Sequence, residues 1–331
     1  MTFEITRITQ LEKLINNREY IDNLTIGTNK DVNNFLVCLT NLTSLIFKKC
    51  YNQQTNLSPF VNLEHLEFGN KYNRSTDLVE LTNLTYLKFE HNFNYPIDLS
   101  KCVNLQHLEF GLNFKKKINL SKCINLQHLE FGHGYDHSTD LSNCTNLTHL
   151  TFRVNYNQLT DISKLVNLQH LQFGEYYDQP LKLSHLTKLT YLDFDFDGAY
   201  NQSTDLSKCI NLQHLQFGEA YVQPTDLSQC TNLQFLNFYR YNDKPIGLSN
   251  LTNLQHLKFG CEYNQLTDLS MFSNLTFLDF GREYNQPTDL SKCINLQHLD
   301  FRNTEYNQKT NLSKCKKLDK KYFKNKPNYI L

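Results

Sequence analysis

The sequence predicts a repeat solenoid, with one parallel β-sheet along one face and short 3₁₀ turns along the opposite face. Three observations carry this. A heptapeptide, Asn-Leu-x-x-Leu-x-Phe or a near copy, occurs thirteen times between Leu42 and Phe301. Its first leucine recurs every 21 residues, interrupted once by two extra residues near Phe196 to Ala199. Weaker copies flank the series, Ile21-x-x-Leu24-x-Ile26 before it and Leu318 to Phe323 after it. Such a period marks stacked units that share a continuous core, and atypical terminal units close its two ends.

Each element of one unit follows from its spacing. In Asp140 to Phe152, Leu150 and Phe152 alternate with His149 and Thr151, the period of a half-buried strand. The strand returns too soon for an antiparallel partner, so the copies pair in parallel. Leu141, Cys144 and Leu147 recur at the three-residue spacing of a short 3₁₀ turn. Asp140 precedes that turn as a cap, as do Asp77, Asp98, Asp161, Asp205, Asp226, Asp268 and Asp289, with Asn56, Asn119 and Asn311 in other units. After each strand comes an aromatic column, from Tyr51 and Tyr72 through Tyr241 to Tyr306, expected to stack from rung to rung as a spine. Asn or Asp follows it in eleven of thirteen rungs, read as an asparagine ladder that satisfies turn backbone. Pro96, Pro180, Pro224 and Pro287 then suit the turn into the next cap.

The spacing Asp-Leu-x-x-Cys-x-x-Leu-x-x-Leu-x-Phe, at Asp140 to Phe152 and Asp226 to Phe238, resembles the short leucine-rich repeats of bacterial internalins. Phe280-Gly281-Arg282-Glu283-Tyr284-Asn285-Gln286-Pro287 is similar to the FNIP variety of leucine-rich repeat, found in amoebae and in giant viruses that infect them. The likeness covers roughly nine tenths of the chain. It implies a leucine-rich-repeat solenoid whose sheet lines a concave face, a mimivirus-like origin, and a meeting with host proteins. Relatives of this kind often join the repeats to an F-box. Only about 20 residues precede the first, fainter rung, so that role is not carried over.

Three domains of the chain are expected. Residues 1–20 form an N-terminal cap, because Ile5, Ile8, Leu11, Leu14 and Ile15 have near-helical spacing and Thr9 to Glu12 resembles a capping box. Residues 21–317 form the solenoid of about 14 repeats, and 318–331 a degenerate repeat with a basic tail containing Lys320, Lys321, Lys324 and Lys326.

If Leu and Phe of each strand face the core, the alternating positions line the open face. One column reads His65, Tyr86, His107, His128, His149, His170, Tyr191, His214, Phe235, His256, Phe277 and His298. It holds eight of the twelve histidines, so their placement is not random. A second column includes Glu67, Lys88, Glu109, Glu130, Asp193, Asp279 and Asp300, and a third is often glycine, leaving that edge bare. An aromatic and imidazole strip beside an acidic one suits a protein or peptide partner. Three readings of the histidines stay open: copied tiles of a duplicated unit, a partner-binding strip, or metal ligands. Zinc needs convergent ligands, whereas a ladder points its imidazoles side by side. Like charges on adjacent rungs are expected to lower the histidine pKa values and make binding change near pH 6.

Seven cysteines share one repeat position with Leu and Phe and read as buried, reduced thiols; Cys50 and Cys261 lie outside it and are the expected exposed ones. No CxxC pair, phosphate loop or HExxH motif occurs, which leaves no catalytic reading and no cofactor. Formal net charge is zero, and no apolar run approaches the roughly 18 residues that span a bilayer. The expected protein is a soluble, intracellular monomer that binds a protein and no small-molecule substrate. Two alternatives remain, a metal-binding histidine ladder and a nucleic-acid or membrane-surface binder acting through the lysine-rich end.

Overall fold

A computed structural model describes residues 2–6, 18–239, 247–301, 305–323 and 328–330. The chain forms two compact units, Met1–Leu168 and Gln169–Leu331. In the first, the strands Thr2–Ile5, Asn23–Ile26, Ser44–Phe47, His65–Phe68, Tyr86–Phe89, His107–Phe110, His128–Glu130 and His149–Thr151 pair in parallel, each with the next. The second unit repeats the pattern with His170–Gln172, Tyr191–Asp193, His214–Phe217, Phe235–Phe238, His256–Lys258, Phe277–Phe280 and His298–Phe301. Leu66 lies opposite Leu87 and Leu87 opposite Leu108, so the 21-residue sequence period is the strand register itself. Between Leu192 and Leu215 the step is 23, and the two extra residues are absorbed beyond the strand, where Asp195 takes φ 51° and Gly198 N–H donates to its carbonyl.

The 3₁₀ expectation holds as linked i→i+3 turns: Cys144 N–H donates to Leu141 O and Leu147 N–H to Cys144 O. Every cap named from the sequence accepts a backbone N–H two residues on, as Asp140 Oδ1 does from Ser142 at 2.9 Å and Asn311 Oδ1 from Ser313 at 3.1 Å. The aspartate caps are exposed, and these bonds hold the carboxyls of Asp98, Asp140, Asp205, Asp226 and Asp268 below the usual carboxylate range.

The core is aromatic as well as aliphatic. The column headed by Tyr51 and Tyr72 is buried, but its closest stacking is within a rung, not between rungs. Phe68 lies 4.0 Å from Tyr72 and Phe152 3.7 Å from Tyr156, whereas Tyr51 and Tyr72 are 6.4 Å apart. Tyr241 of that column lies outside the described residues. The asparagine ladder also runs between rungs. Asn52 Oδ1 accepts from Asn73 N–H at 2.9 Å, and Asn73 Oδ1 from Asn94 N–H at 3.0 Å. A second ladder is formed by the asparagine that opens all heptapeptides but the one at Lys188, as where Asn83 Nδ2 donates to Val61 O and Asn125 Nδ2 to Val103 O, both at 3.0 Å.

Both ends differ from expectation. Ile5 belongs to the strand Thr2–Ile5, paired with Asn23–Ile26, and not to a helix; Ile8, Leu11, Leu14, Ile15 and the capping box lie outside the described residues. At the other end Tyr329–Ile330 pairs with Thr310–Asn311, which pairs with Thr288–Asp289 in a small second sheet. Tyr329 is buried 4.9 Å from Phe323 and 5.9 Å from Phe301, because the last rung would otherwise leave its rings open to water. Phe323 and Tyr329 thus cover part of the last rung's aromatic core. Lys324 and Lys326 lie outside the described residues. No helix among the described residues is long and apolar enough to cross a membrane.

Candidate functional site: a stacked ring strip on the open face

Strand alternation turns Leu and Phe into the core and leaves the intervening side chains on the open face, where the ring column is partly exposed at every rung. In the first unit His65, Tyr86, His107 and His128 stack at 4.1 to 4.2 Å, and His149 continues the row at 5.6 Å. In the second, His170, Tyr191, His214, Phe235, His256, Phe277 and His298 form one run at 4.1 to 4.3 Å, with ring planes within 13° of parallel.

Spacing widens from this face toward the turn side. In the second unit neighbouring core phenylalanines are 4.9 to 6.0 Å apart and turn-side tyrosines 6.1 to 6.3 Å. Rungs within this unit therefore fan, with the ring strip on the inner side. Because the rings within the row have both faces taken by neighbours, the strip offers a partner mainly ring edges, whose C–H and N–H groups are electropositive.

Burial sets the charge of these rings. It pushes His214 and His256 down to about 4, with neighbouring positive groups adding to the shift, and it also lowers His149. Desolvation, more than charge repulsion between rungs, is thus the main cause, and the titration of His214 and His256 lies well below the expected pH 6. His214 Nε2 is buried with no hydrogen-bond partner. At His149 the tautomer is fixed by geometry. The Thr148 hydroxyl donates to Gln127 O at 3.0 Å, so the imidazole must donate from Nδ1 to Thr148 Oγ1 at 2.9 Å.

In the first unit the flanking column is acidic and ion-paired. Glu67 accepts from His65 at 2.9 Å, Lys88 pairs with Glu109 at 2.8 Å, and Arg153 Nε donates to Glu130 at 2.9 Å. Glu109 is held at about 2, since His107 and Lys88 outweigh the cost of burial, and Lys88 rises to about 12 for the converse reason. Glu109 and Glu130 are thus engaged within the sheet. In the second unit Asp193 and Asp279 are buried instead of lining an accessible strip. Asp193 accepts from Tyr191 OH at 2.9 Å and from Gln216 Nε2 at 3.0 Å, and Asn237 Nδ2 extends the row to Gln216 Oε1 at 3.1 Å. Burial raises the Asp193 pKa.

The glycine column is a packing requirement and not an open edge. A Cβ on Gly132 would collide with the carbonyl oxygen of Gly111, and one on Gly69 with the carbonyl carbon of Lys48. Among the described residues no three His, Cys, Asp or Glu side chains cluster as metal ligands would. The column cysteines are buried free thiols, and burial pushes Cys102, Cys144, Cys209 and Cys293 up to about 12. Cys50 and Cys261 prove half-buried, and their thiols donate to Gly27 O and Tyr239 O; Cys38 is the exposed one. Sequence reasoning gave Cys38 no role because it precedes the regular repeats.

No protein-family model and no curated protein matches the chain. Similar solved structures exist. CroV588, a circular leucine-rich-repeat protein, is 30% identical with a TM-score of 0.64, over 84% of this chain and 42% of its own. The chain therefore spans about two fifths of that protein's length. Internalin InlF of Listeria monocytogenes gives a TM-score of 0.62 at 19% identity, over 94% of this chain and 91% of its own. InlJ of the same organism, whose functional domain includes a cysteine ladder, gives 0.64 at 19% identity, over 93% and 70%. Parallel 21-residue rungs, capped turns and these likenesses make the fold a leucine-rich-repeat solenoid.

Proposed function

We propose that the chain is a non-enzymatic protein-interaction module whose partner lies along the ring strip. The observation that carries this is the seven-ring stack from His170 to His298, which presents a continuous row of half-exposed edges on the inner side of a fanned sheet. The half-buried His214 and His256 are neutral at pH 7, so this stretch of the strip is an amphipathic surface and not a polyanion groove. The FNIP-like motif at Phe280 to Pro287 and the likeness to CroV588 support an origin in an amoeba-infecting giant virus, with a host protein as partner inside the host cell.

Affinity capture from amoebal lysate tests this, comparing the parent with His170→Ala, His214→Ala, His256→Ala and His298→Ala combined. A companion variant with Phe at the same four positions keeps the stack. The expected result is a partner held by the parent and lost from the Ala variant while its circular dichroism is unchanged. Equal capture by all three proteins would remove the strip from the interaction.

A further inference from the structure

The sheet of the second unit ends on an edge shaped for one more strand. His298–Phe301 pairs with Phe277–Phe280 on one side, and among the described residues no strand pairs with it on the other. Where the period calls for the next strand, the chain instead turns through the 3₁₀ segment Lys320–Tyr322. Between edge and turn lies a groove of about 520 Å³, with Leu299, Phe301, Phe323 and Tyr329 among its walls and His298 and Asp300 beside it.

The molecule contains its own precedent for what fills such a place. His65-Leu66-Glu67-Phe68 has the same chemical order as His298-Leu299-Asp300-Phe301, and it is covered by Tyr86-Leu87-Lys88-Phe89 in direct register. There Tyr86 stacks on His65 at 4.2 Å, Phe89 on Phe68 at 5.0 Å, and Lys88 lies opposite Glu67. At the terminal edge, His298 is stacked on one face only, by Phe277 at 4.3 Å, and Asp300 has no ion-pair partner among the described residues. The backbone matches as well. Thr276 O accepts from both Gln297 N–H at 2.8 Å and His298 N–H at 3.0 Å, while the equivalent carbonyl of Gln297 accepts from no backbone N–H among the described residues.

We propose that the His298–Phe301 edge binds an extended peptide in parallel, reading aromatic, leucine, basic, aromatic. This uses the edge of the sheet, not the face assigned above. A second copy of the chain is a poorer occupant, since its first strand, Thr2-Phe3-Glu4-Ile5, would bring Glu4 to Asp300 and no ring to His298.

The probe is a labelled, end-blocked peptide with the sequence of residues 83–89, Asn-Leu-Thr-Tyr-Leu-Lys-Phe, titrated against the full chain by fluorescence anisotropy. Saturable binding is expected. Asp300→Lys should weaken it on the order of tenfold, and replacing the peptide's lysine by glutamate should restore affinity for that variant. Absence of saturable binding, or equal affinity for the parent and Asp300→Lys, overturns the proposal. So does sedimentation showing a dimer that Asp300→Lys dissociates and the peptide does not compete. Capture by the ring strip is read in a separate assay, so either reading can fail alone.

Discussion

The Tyr72 hydroxyl donates to Thr76 Oγ1 at 2.9 Å, because the Thr76 hydroxyl is committed to Arg74 O at 3.2 Å. Both side chains are buried, and burial pushes the phenol up to about 12. The same pair recurs at Tyr51 and Thr55, Tyr200 and Thr204, and Tyr284 and Thr288. Where the ring is Phe93 or Phe114, the residue four further on is Ile97 or Ile118, so hydroxyl and acceptor are lost together. Thr76→Val should cost about 1 to 3 kcal/mol by stranding the phenol, read as a lower urea midpoint. Adding Tyr72→Phe should recover most of that loss; a double variant no better than the single would sink the argument.

A sequence period assigns each residue to a column but says little about which columns touch. Leu66 and Leu87 were legible as facing core residues because their spacing is the register. The pairing of Phe68 with Tyr72 was not, since it depends on the turn between them. Ile5 was missed because Thr-Phe-Glu-Ile lacks the leucine signature and sits beside a helix-like pattern. His214 was placed correctly on the open face, yet its depressed pKa comes from neighbours that bury it, a lateral effect no period reports.

Gly132 separates packing from surface design. Its Cβ would meet the Gly111 carbonyl oxygen, which can move only by disturbing the turn it closes by accepting from Phe114 N–H. Gly132→Ala should therefore lower stability by about 1 to 3 kcal/mol. Gly247→Ala is the control, for a Cβ there meets nothing within 4 Å among the described residues. Equal thermal midpoints for the two variants would return the glycine column to the role of a bare edge.

Thiol reactivity should follow exposure and thiolate fraction. Cys38 is exposed, while the column thiols are buried, with Cys102 and Cys144 pushed up to about 12 and Cys123 to about 11. One fast-reacting thiol is expected in the native chain with a maleimide or disulfide reagent, and Cys38→Ser should abolish the fast phase. Retention of that phase in the variant would assign it to the half-buried Cys50 or Cys261 or to a column cysteine that opens readily.

His214 and His256 should make the fold acid-sensitive above the range where carboxylates act. Both rings have folded pKa values of about 4 against 6.5, first through burial and then through nearby positive groups. Between those values the unfolded chain binds protons that the folded rings refuse, so stability rises with pH. Their contribution is fully present above pH 6.5 and is lost as pH falls through 4. Allowing for partial exposure, it amounts to about 1 to 2 kcal/mol per ring. Glu109, held at about 2, acts in the lower window below its ordinary 4.5, which leaves pH 6.5 to 4.5 as the diagnostic range. The variant His214→Phe with His256→Phe keeps the stack, because Phe235 and Phe277 already occupy that column. Its urea midpoint should change less than the parent's across this range; parallel curves would show that these two rings are not the acid-sensitive element.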